Sequence, residues 1–204
     1  GNEAVYSILT ILVVPGGAIA TVLIPWFTKH FGKKNTYIYV HVLGAVVMFA
    51  MYFIGRNGGY NNSSNLLWLA IGFVLLGLPQ GINNVITYAM IGDTVEYLEW
   101  KTGERAEGIC FSMQTFINKI SMAVGAFIGV MAYGISGISP SDPYNTVTPE
   151  GSEKLWAVLI LSGAISMVAT IIPMLFYKVT ESKQREYVKE IEERKAAKAA
   201  KTAE

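Results

Sequence analysis

The chain has 204 residues, 52% of them hydrophobic and only 15% charged, with a mean hydropathy of +0.39; an ordinary soluble domain is roughly 25% charged. A net charge of +1 carries no basic surplus for nucleic acid, and the single cysteine, Cys110, cannot close an internal disulfide. These values exclude an ordinary soluble domain and leave a membrane protein, with Cys110 read as a small packing residue.

A membrane-spanning helix needs about 20 mostly apolar residues. Five stretches meet that length in chain order: Val5 to Phe27, Tyr37 to Gly55, Leu66 to Ile91, Ile109 to Ile135 and Leu155 to Tyr177. None alternates with a strand period, and an open sheet could not satisfy its backbone in lipid, so all five are predicted as helices. The expected fold class is an all-α integral membrane protein with residues 1–178 as a transmembrane bundle and 179–204 as a charged tail.

The connections set the orientation, because Lys and Arg concentrate in short cytoplasmic loops. TKHFGKKNT, GDTVEYLEWKTGERAEG and the segment from Lys178 onward together hold thirteen Lys and Arg, whereas RNGGYNNSSN and SGISPSDPYNTVTPEGSEK hold two, Arg56 and Lys154. The expectation is a multi-pass protein of the cell membrane with Gly1 outside and Glu204 in the cytoplasm. Because the chain lacks an initial Met and has an odd number of spans, preceding helices are expected to be missing. The tail pairs Glu181 with Arg185 and Glu190 with Arg194 at i,i+4 spacing and carries no apolar stretch, so it reads as a solvated helix that frays.

Two spans are polar on one side. The second half of the third, LPQGINNVITYAM, sets Gln80, Asn83, Asn84, Thr87 and Tyr88 on one helical stripe, just after Pro79 and its flanking Gly77 and Gly81, which are expected to kink or loosen the helix. The fourth places Ser112, Gln114, Thr115, Asn118, Lys119 and Ser121 on one half of its circumference and its large apolar side chains on the other. Gly125 and Gly129 share the polar half, where missing side chains permit close approach of a neighbouring helix. Lys119 lies about ten residues into its span, roughly 15 Å by helical rise. Intramembrane cations usually mark ligand or ion paths, although a long stem can also snorkel toward the interface. Two facing polar stripes with a cation favour a watery cavity over hydrogen bonds that merely join helices.

Between these spans the loop carries Asp93, Glu96, Glu99, Glu104 and Glu107 against Lys101 and Arg105. That clustering fits either ion pairs with other cytoplasmic loops, holding one conformation closed, or a solvated face whose pairs are each worth about 0 to 1 kcal/mol. His30 and His41 are single residues, and no HExxH, GxSxG or filter-like repeat is present. No enzyme, resident cofactor or metal is expected.

The order D-x-V-E-Y-x-E-W-K-T-G-x-R-x-E-G from Asp93 to Gly108, followed by S-x-Q-T-x-x-x-K from Ser112 to Lys119, resembles the glycoside–pentoside–hexuronide:cation symporters, the melibiose-permease-like branch of the major facilitator superfamily. The FGKK of Phe31 to Lys34 is similar to a loop of the same family. The resemblance implies that the five spans are helices 8–12 of a twelve-helix transporter and that helices 1–7 lie outside this chain. It implies a sugar or glycoside substrate carried with Na⁺, H⁺ or Li⁺, the cation site lying mainly in the absent helices. By the same resemblance Lys119, Gln114 and Thr115 are substrate-side residues; the helical stripe of Gln80, Asn83, Asn84 and Thr87 on the third span is expected to supply the second wall of the binding site. Asp93, Glu96, Tyr97, Glu99 and Arg105 are expected to form a cytoplasmic gate. Asn84 stands where melibiose-carrying members have a pocket tryptophan, a departure that argues against a melibiose-like galactoside. A carrier of lysolipid or another small solute, or a non-transporting sensor of the same fold, is the alternative; the dense amides and hydroxyls favour a small polar ligand. The expected partners are sugar, coupling cation, membrane lipid and the missing helices, with no nucleic acid.

Overall fold

A computed structural model describes residues 3–202. It is built from seven α-helices: α1 Glu3–Ile11, α2 Val13–Gly55, α3 Ser63–Thr102, α4 Glu107–Ser136, the single turn α5 Pro143–Thr146, α6 Pro149–Phe176 and α7 Glu181–Thr202, with a 3₁₀ turn at Arg56–Asn61. Among the described residues, four helices are long and apolar enough to cross a membrane: Ser7–Gly55, Ser63–Thr102, Glu107–Ser136 and Pro149–Phe176. The first two sequence spans fall on one of these. At about 1.5 Å per residue its 49 residues would measure roughly 74 Å if straight, more than twice the hydrocarbon thickness.

It is not straight. Gly32, with φ 76° and ψ 162°, is non-helical inside α2, a conformation that a Cβ would penalise and glycine tolerates. The halves 13–31 and 33–55 then run in opposite directions along α3. Val13 meets Gly77 and Gly17 meets Gly81, whereas Gly44 meets Pro79 and Met51 meets Gly72. The chain therefore doubles back at Gly32. The second half of α2 lies between α3 and α6, and α6 runs antiparallel to it: Trp156 packs on Gly55, Gly163 on Met48 and Met167 on Gly44.

The core sits where these elements meet. Ala20, Ile24, Tyr37, Val40, Ile82, Ile86 and Met90 form one buried cluster, and Val47, Met51 and Leu69 a second. Glycine sets the closest approach in the first half of α2. A Cβ at Gly81 would lie 2.9 Å from the Cα of Gly17, and one at Gly77 would lie 2.7 Å from the Cα of Gly16, inside ordinary carbon–carbon contact of about 3.5 to 4.0 Å. Gly77 and Gly81 thus seat a neighbouring helix, and α3 runs unbroken through the buried Pro79. Gly125 and Gly129, expected to do this on α4, face open space.

Capping explains the ends. The Asn62 side chain accepts from the Ser64 N–H at the start of α3, and Gly103, with φ 80°, ends it by donating to the Glu99 carbonyl at 2.8 Å. The Thr148 side chain accepts from the Gly151 N–H at 3.0 Å at the start of α6, so that helix begins earlier than its apolar run.

Candidate functional site: an open polar face and a charge cluster

Helix α4 touches mainly α6, and Ala132 and Ser136 are its buried residues. Its polar half is open. Ser112, Thr115, Asn118, Lys119 and Ser121 are exposed and Gln114 is half-buried. Ser112, Thr115 and Ser121 return their hydroxyl protons to the carbonyls of Ile109, Phe111 and Ile117. Their oxygen lone pairs still face outward as acceptors. Among the described residues Lys119 has no ion-pair or hydrogen-bond partner, so three ammonium donors stand unused in a helix apolar enough to span a membrane.

On α3, Gln80, Asn83, Asn84 and Tyr88 are exposed and Thr87 is half-buried, the Thr87 hydroxyl donating to the Asn83 side-chain oxygen at 3.0 Å. The predicted stripe exists, while the buried Ile82, Ile86 and Met90 hold the opposite face of the helix. No hydrogen bond joins this stripe to that of α4 among the described residues. The neighbour of α4 is instead α6, and between them lies a cavity of about 580 Å³. Ser121, Gly125 and Gly129 line it from α4, and Ser162, Ser166 and Thr170 from α6. The three α6 hydroxyls were not among the anticipated residues, although their i, i+4, i+8 spacing is a stripe legible in the sequence.

The five residues expected to form a gate fall on the C-terminal end of α3 and the start of the following loop. Asp93 is buried at 7% exposure and accepts from the Lys33 ammonium, at 2.7 Å to one oxygen and 2.6 Å to the other. Glu99, 5% exposed, accepts from Lys195 at 2.7 Å and from Arg105 at 3.1 Å. Arg105 also binds Glu107. Glu96 accepts from the Gln184 amide. The Tyr97 ring lies 5.6 Å from that of Tyr187, and Lys101 sits over its face at 5.9 Å. Of the two readings of this acidic loop, ion pairs reaching other segments describe Asp93 and Glu99, since Lys33 and Lys195 are remote in sequence. Lys195, and after it Arg105, hold the Glu99 carboxyl below its ordinary value against the opposing effect of burial.

Lys195 and Gln184 belong to α7, which departs from the solvated helix expected. It lies along the end of α3, with Ile191 buried and the Tyr187 ring 4.6 Å from that of Trp100. Glu190 pairs with Arg194 as the spacing predicts. Arg185 donates instead to the Glu181 carbonyl, because the Glu181 carboxylate accepts from the Lys33 N–H.

Long apolar helices and a reversal at Gly32 define a multi-pass membrane protein. The chain belongs to the family described as MFS/sugar transport protein, whose pattern it matches over residues 1–181. It is 33% identical over 87% of its length to a putative sulfoquinovose importer of Escherichia coli, covering 36% of that protein. It is 28% identical over 93% of its length to the glucuronide carrier protein homolog of the same organism, covering 40% of it. A raffinose carrier protein of Pediococcus pentosaceus is 28% identical over 94% of this chain, which covers 29% of that carrier. The chain thus spans well under half the length of these curated relatives. All three are named as importers or carriers. No solved structure matches the chain.

Proposed function

We propose that this chain is the part of a cation-coupled sugar or glycoside symporter that contributes helices 8–12 of a twelve-helix carrier working by alternating access. The reversal at Gly32 supports five crossings: each half of α2 holds about 20 residues, the length one crossing needs. Gly32 and the acidic loop then lie on the cytoplasmic side with α7, and the chain enters from outside. Lys33, Asp93, Glu99 and Arg105 form the cytoplasmic gate, and the coupling Na⁺, H⁺ or Li⁺ binds mainly on helices outside this chain.

The observation that carries the reading is the unpartnered Lys119 on the open polar half of α4. A cation at membrane depth is costly unless something compensates it. Substrate oxygens, or a carboxylate across the interface with the remaining helices, would supply that compensation, with Gln114, Thr115, Gln80, Asn83, Asn84 and Thr87 donating and accepting around it. Sulfoquinovose and glucuronides, named for two relatives, are acidic sugars whose charge Lys119 complements; they head the substrates to try.

The test is uptake of labelled sulfoquinovose, a glucuronide and raffinose by the complete protein in proteoliposomes, under Na⁺ and H⁺ gradients. Lys119→Ala is expected to reduce gradient-driven uptake at least about tenfold, with Lys119→Arg retaining more. Unchanged uptake and affinity in Lys119→Ala would remove Lys119 from the site.

A further inference from the structure

Helix ends leave backbone groups without intrahelical partners, and two such ends meet at the cytoplasmic side of the bundle. At Gly32 the helix breaks, so the Lys33 N–H opens a new helix without an acceptor from the previous turn. Its acceptor is the carboxylate of Glu181, a residue 148 positions away. A Cβ at Gly32 would come within 3.0 Å of that same carboxylate, so the glycine also leaves the space the cap occupies. At the other end, α3 stops at Thr102, leaving its last carbonyls outside the helical ladder. The Trp100 carbonyl accepts from the Arg194 guanidinium at 2.7 Å.

Glu181 opens α7, and Arg194 stands about two-thirds of the way along it. Between them the helix adds side-chain contacts: Gln184 to Glu96, Tyr187 against Trp100, and Glu190 accepting from the Trp100 indole N–H at 2.7 Å. Lys195 then neutralises the buried Glu99. One face of α7 is thus spent on two helices that do not otherwise share a cap.

We propose that α7 is a conformational strap. It closes the open N-terminal end of the second half of α2 and the open C-terminal end of α3, so the reversal at Gly32 and the extension 93–102 move as one body. Loss of the strap frees both ends at once, although they are separated by some 70 residues of chain. By occupying one oxygen of Glu99, Lys195 leaves Arg105 the other. The strap therefore also sets where the Arg105 end of the acidic loop can go when the cytoplasmic side opens.

The test uses the complete protein in nanodiscs and proteoliposomes, in two variants: deletion of residues 181–204, and Tyr187→Ala/Arg194→Ala/Lys195→Ala. Amide exchange is expected to speed up by about tenfold or more at residues 33–36 and 99–103 together, with α6 unchanged. Initial sugar uptake should change by about threefold or more while equilibrium sugar binding stays within about twofold, since the strap touches the moving parts and not the polar face. Lys195→Arg should behave as the unaltered protein. Unchanged exchange in both variants overturns the strap, as does faster exchange with transport unaltered, which would make α7 a structural clasp only. A complete protein that carries none of the tested sugars refutes the sugar reading alone; the strap then stands or falls on the exchange data.

Discussion

Gly81→Ala is the sharpest probe of how this bundle is held together. Alanine is a better helix former than glycine by about 1 kcal/mol, so on propensity alone the substitution in the middle of α3 stabilises. The packing opposes it. The new methyl would sit 2.9 Å from the Cα and 3.0 Å from the carbonyl carbon of Gly17, roughly 1 Å inside ordinary contact. The obstacle is backbone with no side chain to rotate away, so the first half of α2 must retreat along the whole seam. Overpacking of this kind costs about 1 to 3 kcal/mol or more. The expected net effect is a loss on the order of 1 to 2 kcal/mol. Gly92→Ala supplies the control on the same helix: nothing lies within 4 Å of its Cβ position, so only the propensity term remains and the variant should be as stable as the parent or more so. Thermal unfolding of the complete protein in detergent, followed by helical circular dichroism, compares the three. A Gly81→Ala protein as stable as Gly92→Ala would refute the glycine seam between α2 and α3.

Two further outcomes follow from the same geometry. At Gly32, φ 76° and the adjoining Glu181 carboxylate make Gly32→Val costly twice over, by about 1 to 3 kcal/mol for the backbone alone. Gly32→Asn gains no relief, because asparagine's tolerance of positive φ is confined to the left-handed helical region and ψ 162° lies outside it; either variant as stable as the parent in thermal unfolding would remove strain at the reversal. For pH, the Glu99 carboxyl lies below its ordinary value of 4.5 in the folded protein, through Lys195 first and then Arg105. A depressed carboxyl stabilises the docked state fully above that ordinary value, and the contribution disappears as pH falls through the lower folded one. Trp100 emission, read in a Trp26→Phe/Trp68→Phe/Trp156→Phe background, should therefore stay constant as pH falls to that ordinary value and change only below it. A transition centred above pH 5 would refute the Lys195–Glu99 assignment.

Much of the site was legible because helical period and side-chain chemistry are properties of neighbouring residues. The polar half of α4 and the stripe on α3 follow from 100° steps along a helix, and the structure leaves both largely exposed. The α6 hydroxyls Ser162, Ser166 and Thr170 were equally readable at four-residue spacing, but a serine or threonine in an apolar run satisfies itself on its own backbone, as these three do, and so gives no sign of facing a cavity. Nothing local distinguishes Gly77 and Gly81, which seat a helix, from Gly125 and Gly129, which face open space. That difference depends on which helix arrives.

The sequence by itself determined the membrane class, the helices, their polar faces and the charge of the acidic loop, because hydropathy, periodicity and charge act over a few turns of one helix. Tertiary structure alone decided the rest. It folded α2 back at Gly32, set α6 rather than α3 beside α4, and brought α7 onto the end of α3. A helix such as α7, with no apolar run, looks fully solvated in isolation. It docks because the ends of two other helices offer unpaired backbone groups, and Glu181 and Arg194 meet them only once the chain has folded.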